Sequence, residues 1–216
     1  MSWESSAHYY RLINEGVRDR LGGHHSADLI LRSLDFAPIA ARQHDDDWDG
    51  LADAIRAAAR DLVAAGAEAI VLCTNTMHRV ADAIEGEGVP LLHIGDATAA
   101  AIRAEGLNRV ALLGTAFTME QPFLRDRLAP AVIVPDADDR ATVHRIIYDE
   151  LVRGTVDPAS RAAYRDVMAR LAGRGAEGIV LGCTEIMMLV GPGEAAVPLF
   201  DTTTLHAAAA VDWMLA

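Results

Sequence analysis

The sequence contains no lysine, so all 19 of its basic residues are arginine. Enzymes that use pyridoxal phosphate hold this cofactor as a Schiff base on a lysine side chain. The composition therefore excludes this whole class of cofactor chemistry.

The chain also lacks dense basic clusters, and its 216 residues carry a formal net charge of −12. A protein that binds the phosphate backbone of nucleic acid needs concentrated positive charge, so we expect no such partner. No apolar run approaches the roughly 20 residues that span a bilayer, and residues 1–11 lack the apolar core of a signal peptide. We therefore predict a cytoplasmic protein that has no membrane partner.

Cysteine is scarce, because Cys73 and Cys183 are the only two. They lie far apart and form no C-x-x-C pair, which argues against a disulfide scaffold and against a zinc site. The histidines at 24–25 and the aspartates at 45–47 have a spacing that fits no set of metal ligands. We predict reduced thiols, a solvated loop around the aspartates and no metal site.

One stretch of the sequence is used twice. Residues 66–77 return as residues 175–186, with Gly182 inserted before the second cysteine. Residues 89–93 return as residues 197–201, and an alanine-rich stretch follows each copy. The two copies keep a spacing of about 109 residues throughout, which indicates duplication of a half-domain rather than a short solenoid repeat.

Each copy is typical of a turn, a buried parallel strand and the start of a helix, and its cysteine lies where strand and helix meet. Ligands of open α/β sheets bind at this edge. The free N–H groups and the positive end of the helix dipole can hold a carboxylate there, and they can lower the pKa of a thiol. Cys73 and Cys183 are therefore the candidate functional residues.

Apolar runs alternate with helical patterns along the chain, which predicts parallel sheets with helices on both faces. Residues 27–34 predict one strand, and residues 109–113 predict the strand that opens the second half. The first half has no such run before Met1. We therefore expect the first strand of domain one to be absent, because the sequence starts downstream of the true start or was cut.

Several motifs together resemble the aspartate/glutamate racemase family, and most of all its broad-specificity amino-acid racemase branch. They are Cys73-Thr74-Asn75-Thr76, Gly182-Cys183-Thr184-Glu185, Met1-Ser2-Trp3-Glu4-Ser5, His93-Ile94-Gly95-Asp96 and Phe200-Asp201-Thr202. The resemblance covers essentially the whole chain. A single Cys-Thr-x motif is weak evidence, whereas two copies at the duplicated spacing are strong evidence.

The resemblance implies two similar parallel-sheet α/β domains related by a pseudo-two-fold axis, with the active site in the cleft between them. We place the first domain at residues 1–106 with 202–216 and the second at residues 107–201. The resemblance also implies a homodimer that racemises amino acids without a cofactor, and it identifies the absent segment as the first strand, inside the sheet.

Racemisation takes the Cα proton from one face of the substrate and returns a proton to the other, which a single base cannot do for a held substrate. A duplicated half-domain presents the same group from two sides, so Cys73 and Cys183 can act as the acid/base pair. An unperturbed thiol has a pKa of about 8.5 and is mostly protonated at neutral pH. We therefore expect the helix ends to lower the pKa of these thiols.

The remaining predicted site residues hold the substrate. Backbone N–H groups after each cysteine can grip the α-carboxylate, and the resemblance implies that two further residues contact the substrate. The first group comprises Thr74, Asn75, Thr76, Thr184 and Glu185, and the second comprises Met1 and Gln43.

Members of the family that act on acidic substrates hold the side-chain carboxylate with an arginine and a lysine. Gln43 and Val152 occupy those two places here, with Arg42 and Arg153 each one residue away. A buried carboxylate without a cation is costly, so the sequence favours a neutral or polar substrate side chain over an acidic one.

Alternatives remain open at this stage. One is an aspartate or glutamate racemase. Another is a decarboxylase or isomerase of the same superfamily that uses one cysteine. A third, from a different class, is a non-catalytic amino-acid binding protein, although binding alone gives no reason for a cysteine at both duplicated positions.

Overall fold

The computed structural model describes all residues, 1–216, and the chain separates into two compact units. The first unit contains Met1–His93 and Ala207–Ala216, and the second contains Ile94–His206. Helices alternate with parallel strands, so the predicted mixed α/β class is confirmed. None of the helices combines the length and the apolar composition needed to cross a membrane.

The first unit opens with three helices, followed by a sheet of two short strands. In chain order its elements are α1 (Trp3–Leu21), α2 (Phe36–His44), α3 (Trp48–Ala64), β1 (Ile70–Val71), a 3-10 helix (Thr76–Ala83) and β2 (Leu91–Leu92). Strand β1 pairs in parallel with β2, with Ile70 opposite Leu91. Helix α1 begins at a capping residue, because the side chain of Ser2 accepts a hydrogen bond from the Ser5 N–H.

The predicted strand over residues 27–34 is wrong. The chain runs from His25 to Asp35 without a turn, bend or helix, but these residues join no sheet. A strand exists only when a neighbour completes its hydrogen-bond ladder, and the sheet of this unit consists of β1 and β2 alone. An apolar run in the sequence does not reveal whether such a neighbour is present.

The second unit contains four strands and the remaining helices. Its elements are α4 (Ile94–Ala104), β3 (Arg109–Gly114), α5 (Ala116–Glu120), α6 (Pro122–Leu128), β4 (Ala131–Ile133), α7 (Ala137–Asp149), a 3-10 helix (Leu151–Arg153), α8 (Pro158–Gly173), β5 (Gly178–Gly182), a 3-10 helix (Ile186–Met188), β6 (Leu199–Asp201) and α9 (Thr202–Met214). Helix α9 continues beyond His206 into residues of the first unit.

The four strands of the second unit form one parallel sheet in the order β4-β3-β5-β6. Alternate residues of β3 enter two different apolar clusters: Ala111 and Leu113 pack with residues of α7 and α8, whereas Val110 and Leu112 pack with residues of α4 and α6. Both faces of the sheet are therefore covered by helices, as the near-continuous apolar strands predict.

Strand β5 lies at the centre of this packing, because it pairs with β3 on one side and β6 on the other and all five of its residues are buried. Its last residue, Gly182, lies against the backbone of β3. A Cβ atom at Gly182 would lie 2.8 Å from the Leu113 carbonyl oxygen and 2.7 Å from the Leu112 side chain. The glycine inserted into the second repeat thus allows two backbones to approach closely just before Cys183.

We predict that Gly182→Ala destabilises the protein by about 1–3 kcal/mol, because the added methyl group overpacks a buried strand pair. Urea unfolding followed by circular dichroism measures this change.

Gly173→Ala is the matched control, since nothing lies within 4 Å of a Cβ atom at that helical position. We expect its unfolding midpoint to stay the same or to rise slightly, because alanine is the better helix former. Equal midpoints for the two variants would contradict the close approach at Gly182.

Candidate active site

The first candidate cysteine, Cys73, lies just beyond strand β1 and is half-buried. Its carbonyl oxygen accepts two hydrogen bonds, one from the Met1 amino group at 2.8 Å and one from the Ser5 hydroxyl at 3.2 Å. Its Sγ atom lies 3.6 Å from the carbonyl oxygen of Val71. The start of the chain and the end of β1 therefore meet at this residue, with Met1 beside Cys73.

The chain turns tightly after Cys73. The Thr74 N–H donates to the Leu72 carbonyl oxygen at 2.7 Å, and Nδ1 of His78 lies 2.7 Å from the Thr74 carbonyl oxygen. The predicted substrate-binding residues Thr74, Asn75 and Thr76 are all buried here. The helix that follows is a 3-10 helix from Thr76 to Ala83.

Gln43 lies against this segment although it is distant in sequence. It is buried near the end of α2, and its Nε2 atom donates to Sδ of Met77 at 3.1 Å. The neighbouring Arg42 lies on the outer surface, where its guanidinium donates to the Gly50 carbonyl oxygen and lies 3.7 Å from the carboxylate of Asp47. Of these two adjacent residues, only Gln43 faces the residues that follow Cys73.

The second candidate cysteine, Cys183, directly follows β5 and is buried. One carboxylate oxygen of Glu185 accepts hydrogen bonds from the Cys183 thiol at 3.0 Å and from the Thr184 hydroxyl at 2.8 Å. Thr184 and Glu185 are buried as well. The three predicted residues of this half therefore form one connected group around a single carboxylate.

The pKa shifts of both thiols have the opposite sign to the sequence-based expectation. Burial raises the pKa of Cys73 to about 11, and only the positive charge of the chain terminus opposes this rise. Burial also raises the pKa of Cys183 well above its ordinary value, and the charge of Glu185 adds to the rise. The prediction that helix ends lower the pKa of these thiols is wrong. Desolvation destabilises each thiolate more than the dipole of the short 3-10 helix after the cysteine stabilises it.

Sequence reasoning missed His144 and Tyr148, which lie on α7 in the second unit. Their rings are 4.7 Å apart. The pKa of Tyr148 is raised to about 12, chiefly by burial and then by the charges of Cys183 and Glu185, so its hydroxyl lies within their electrostatic reach. The spacing of four residues on one helix is the signal that could have identified this pair.

The protonation of His144 follows from its surroundings. Its Nδ1 atom accepts a hydrogen bond from the Ala116 N–H at 3.1 Å, at the start of α5. Burial lowers the pKa of His144, although the charges of Asp149 and Glu120 oppose this effect. The ring is therefore neutral near pH 7 with its proton on Nε2, which leaves one N–H donor.

The region after α7 contains the second position that the sequence assigns to substrate side-chain contacts. Val152 packs against the apolar cluster that includes Cys183, whereas Arg153 is exposed. Nowhere in the structure do three or more His, Cys, Asp or Glu side chains form a group that could hold a metal ion.

The family profile described as Asp/Glu/Hydantoin racemase matches residues 1–210. Among curated proteins, a glutamate racemase from Deinococcus radiodurans is 30% identical over 171 residues, which cover 76% of this chain and 56% of the relative. The chain thus matches little more than half the length of that relative.

Two solved structures are similar over nearly the whole chain. A Yersinia pestis protein provisionally named an Asp/Glu racemase is 52% identical, with a TM-score of 0.92 and coverage of 100% of this chain and 96% of that one. An aspartate racemase homologue from Pyrococcus horikoshii OT3 is 30% identical, with a TM-score of 0.83 and coverage of 99% and 95%.

We predict that Glu185→Gln lowers the pKa of the Cys183 thiol, because the substitution removes the negative charge beside the sulfur atom. The measurement is the rate of iodoacetamide alkylation against pH, made in a Cys73→Ala background so that Cys183 is the only thiol. The alkylation profile should move to lower pH, and the rate at pH 8 should rise several-fold.

Asp166→Asn on α8 removes the same charge from an exposed position and is the control. An unchanged profile for Glu185→Gln, or an equal shift in the control, would contradict the proposed influence of the Glu185 carboxylate on the thiol.

Proposed function

Because the chain belongs to the Asp/Glu/Hydantoin racemase family, we propose that it racemises amino acids without a cofactor and uses Cys73 and Cys183 as its acid/base pair. The observation that carries this proposal is the equivalent position of the two thiols. Cys73 follows β1, and Cys183 follows β5. The hydrogen bonds of the two strands correspond as well: the Ile70 N–H donates to the Pro90 carbonyl oxygen, and the Ile179 N–H donates to the Pro198 carbonyl oxygen, both at 2.9 Å.

In the proposed reaction, one cysteine is a thiolate and removes the Cα proton, which leaves a carbanion and a neutral thiol. The other cysteine is a thiol and delivers its proton to the opposite face of the same carbon, which leaves a thiolate. The product is the mirror-image amino acid, and the two sulfur atoms have exchanged their protonation states. Backbone N–H groups of residues 74–76 and 184–185 hold the α-carboxylate and stabilise the charge that develops.

The raised pKa values of the thiols constrain when this reaction begins. At neutral pH the resting protein holds both cysteines mainly as thiols. An amino acid brings an ammonium group next to the reacting carbon, and a positive charge within a few ångströms favours a thiolate. We propose that substrate binding itself generates the reactive thiolate.

The side chains at the positions predicted to contact the substrate side chain favour neutral or polar amino acids. Gln43 is buried beside Met77. Val152 packs against the apolar cluster that includes Cys183. The neighbouring arginines, Arg42 and Arg153, are exposed. A substrate carboxylate at these positions would have no cation to compensate its desolvation.

An aspartate or glutamate racemase is the alternative, supported by the Deinococcus glutamate racemase among the relatives. A one-cysteine isomerase or decarboxylase and a non-catalytic binding protein also remain to be tested. The homodimer, the cytoplasmic location and the substrate contacts of Met1 and Gln43 stay predictions.

We predict that the protein incubated with a neutral L-amino acid such as alanine or serine in D₂O forms the D-enantiomer and incorporates deuterium at Cα. Cys73→Ala and Cys183→Ala should each lose inversion by roughly 10² to 10⁴-fold, because proton transfer by a placed group contributes about that much. Chiral chromatography and NMR measure the two events separately.

Exchange that survives in one single variant, without inversion, would support a two-base reaction. The same assay with L-aspartate and L-glutamate distinguishes the alternative substrates. Binding of an amino acid without any exchange in the unmodified protein would contradict racemisation and favour the binding protein.

The pH dependence provides a second prediction. Burial raises the pKa of both thiols, and that of Cys73 is about 11. Before substrate binds, the fraction of each cysteine present as thiolate therefore grows as the pH rises toward its pKa. We therefore expect kcat/KM to increase from pH 7 to pH 9, measured as initial rates at low substrate concentration. A rate that is flat over this range would contradict thiolate formation as the limiting requirement.

A further inference from the structure

His144 presents a hydrogen-bond donor that the protein itself does not use. Its Nδ1 atom accepts a hydrogen bond from the Ala116 N–H at 3.1 Å, so the proton of the neutral ring is on Nε2. The Nε2–H group forms no hydrogen bond within the protein and is not enclosed by neighbouring atoms. The ring is half-buried. A ligand can therefore reach one N–H donor at this position.

Two contacts fix the direction of this donor. Ala116 begins α5 just beyond the end of β3, so its N–H group belongs to the carboxyl edge of the sheet. On the other side, the centroid of the Tyr148 ring lies 4.7 Å from that of the His144 ring. Turning the imidazole would break the bond to Ala116 and the contact with Tyr148, so the Nε2–H group is held in one orientation.

The same edge of the sheet carries Cys183. Gly114, the last residue of β3, lies opposite Gly182, the last residue of β5, and Cys183 follows directly. After burial, the charge of Cys183 is the largest cause of the raised pKa of Tyr148, so the two side chains are near each other. Because Tyr148 contacts the ring of His144, the free donor lies in the neighbourhood of the thiol.

The charges around His144 disfavour a bound carboxylate. Burial lowers the pKa of the ring, and the nearby carboxylates of Asp149 and Glu120 oppose this effect. Arg140, one turn earlier on α7, is already engaged, because it binds Glu120 at 3.1 Å and the Pro135 carbonyl oxygen at 2.8 Å. An anionic side chain at Nε2 would meet two negative charges that Arg140 does not offset.

A cationic side chain does not fit this position either, because an ammonium or guanidinium group has no acceptor for an N–H donor. An uncharged oxygen satisfies both conditions. It accepts the hydrogen bond and brings no charge to the carboxylates nearby.

We propose that the Nε2–H group of His144 binds an oxygen atom in the substrate side chain, and that the preferred substrates are amino acids whose side chain carries an uncharged hydroxyl or amide group. This inference rests on the proposed racemisation, since it assigns the side-chain end of the same site. Backbone N–H groups after the cysteines hold the α-carboxylate, so a donor on α7 serves the other end of the substrate.

Three variants separate the roles of the two ring nitrogens. His144→Asn keeps an acceptor near the position of Nδ1 for the Ala116 N–H, but it has no group at the position of Nε2. His144→Gln places an amide N–H near the position of Nε2 and lacks the acceptor near Nδ1. His144→Phe keeps an aromatic ring and removes both nitrogens. Urea unfolding establishes that each variant is folded before it is assayed.

The measurement is kcat/KM within two pairs of amino acids of similar shape, serine with 2-aminobutyrate and asparagine with leucine. We expect the unmodified protein to favour the oxygen-bearing member of at least one pair. His144→Asn and His144→Phe should each reduce this preference roughly fivefold, since one neutral hydrogen bond contributes about that factor. His144→Gln should retain it.

Two kinetic results would overturn the proposal. A preference that survives in His144→Asn and disappears in His144→Gln would mean that the ring acts only through its bond to Ala116. An equal loss of activity for both members of each pair in His144→Phe would mean that the ring supports the fold of the site and does not contact the substrate side chain.

A binding measurement separates this inference from the proposed reaction. ¹⁵N NMR follows the Nε2 signal of His144, identified by its loss in His144→Phe, while serine or 2-aminobutyrate is added to the unmodified protein. The exposed His24 is the reference for small changes in pH. We expect the Nε2 signal to move with serine and to stay in place with 2-aminobutyrate.

The two possible failures are then distinguishable. A signal that moves in a protein without racemisation would contradict the proposed function and support the assignment of His144. A signal that stays in place at saturation with serine and with asparagine would overturn the assignment, even in an active racemase.

Discussion

The hydrogen-bond ladder that holds β5 between β3 and β6 is the constraint on which the second half of the site depends. Every residue of β5 is buried, and Gly182 allows the backbone of β3 to approach at the last step of the ladder. Because the strand ends there, Cys183 and Glu185 emerge at a fixed point of a rigid sheet. Parallel sheets buried on both faces leave little freedom at such a junction, which suits a group that must be placed accurately.

The two cysteines occupy equivalent positions in the repeat but have different electrostatic surroundings. The carbonyl group of Cys73 is bonded to a positively charged amino group, whereas the thiol of Cys183 is bonded to a carboxylate. Burial raises the pKa of both thiols, and these two charges act in opposite directions on it. A racemase with such surroundings would start its two half-reactions from thiols of unequal acidity, so the forward and reverse directions need not share one pH profile.

The repeat in the sequence was sufficient to predict strands β1 and β5 and the junctions that carry the cysteines, because short-range patterns determine these features. Contacts between segments that are distant in the sequence could not be predicted from the repeat. The strand predicted over residues 27–34 has no neighbour, the sign of the thiol pKa shifts depends on burial by residues far along the chain, and the pair His144 and Tyr148 belongs to the site only through packing of α7. Sequence periodicity contains no direct record of these pairings.

The contact between the Met1 amino group and the Cys73 carbonyl oxygen has a practical consequence for this chain. Since the sequence contains no lysine, none of its side chains offers a primary amine to an acylating reagent. In a protein that starts at Met1, a fluorophore coupled through a succinimidyl ester would therefore attach at a single point, beside the backbone of one of the two candidate cysteines. Its emission would report locally on ligand occupancy without any engineered labelling site.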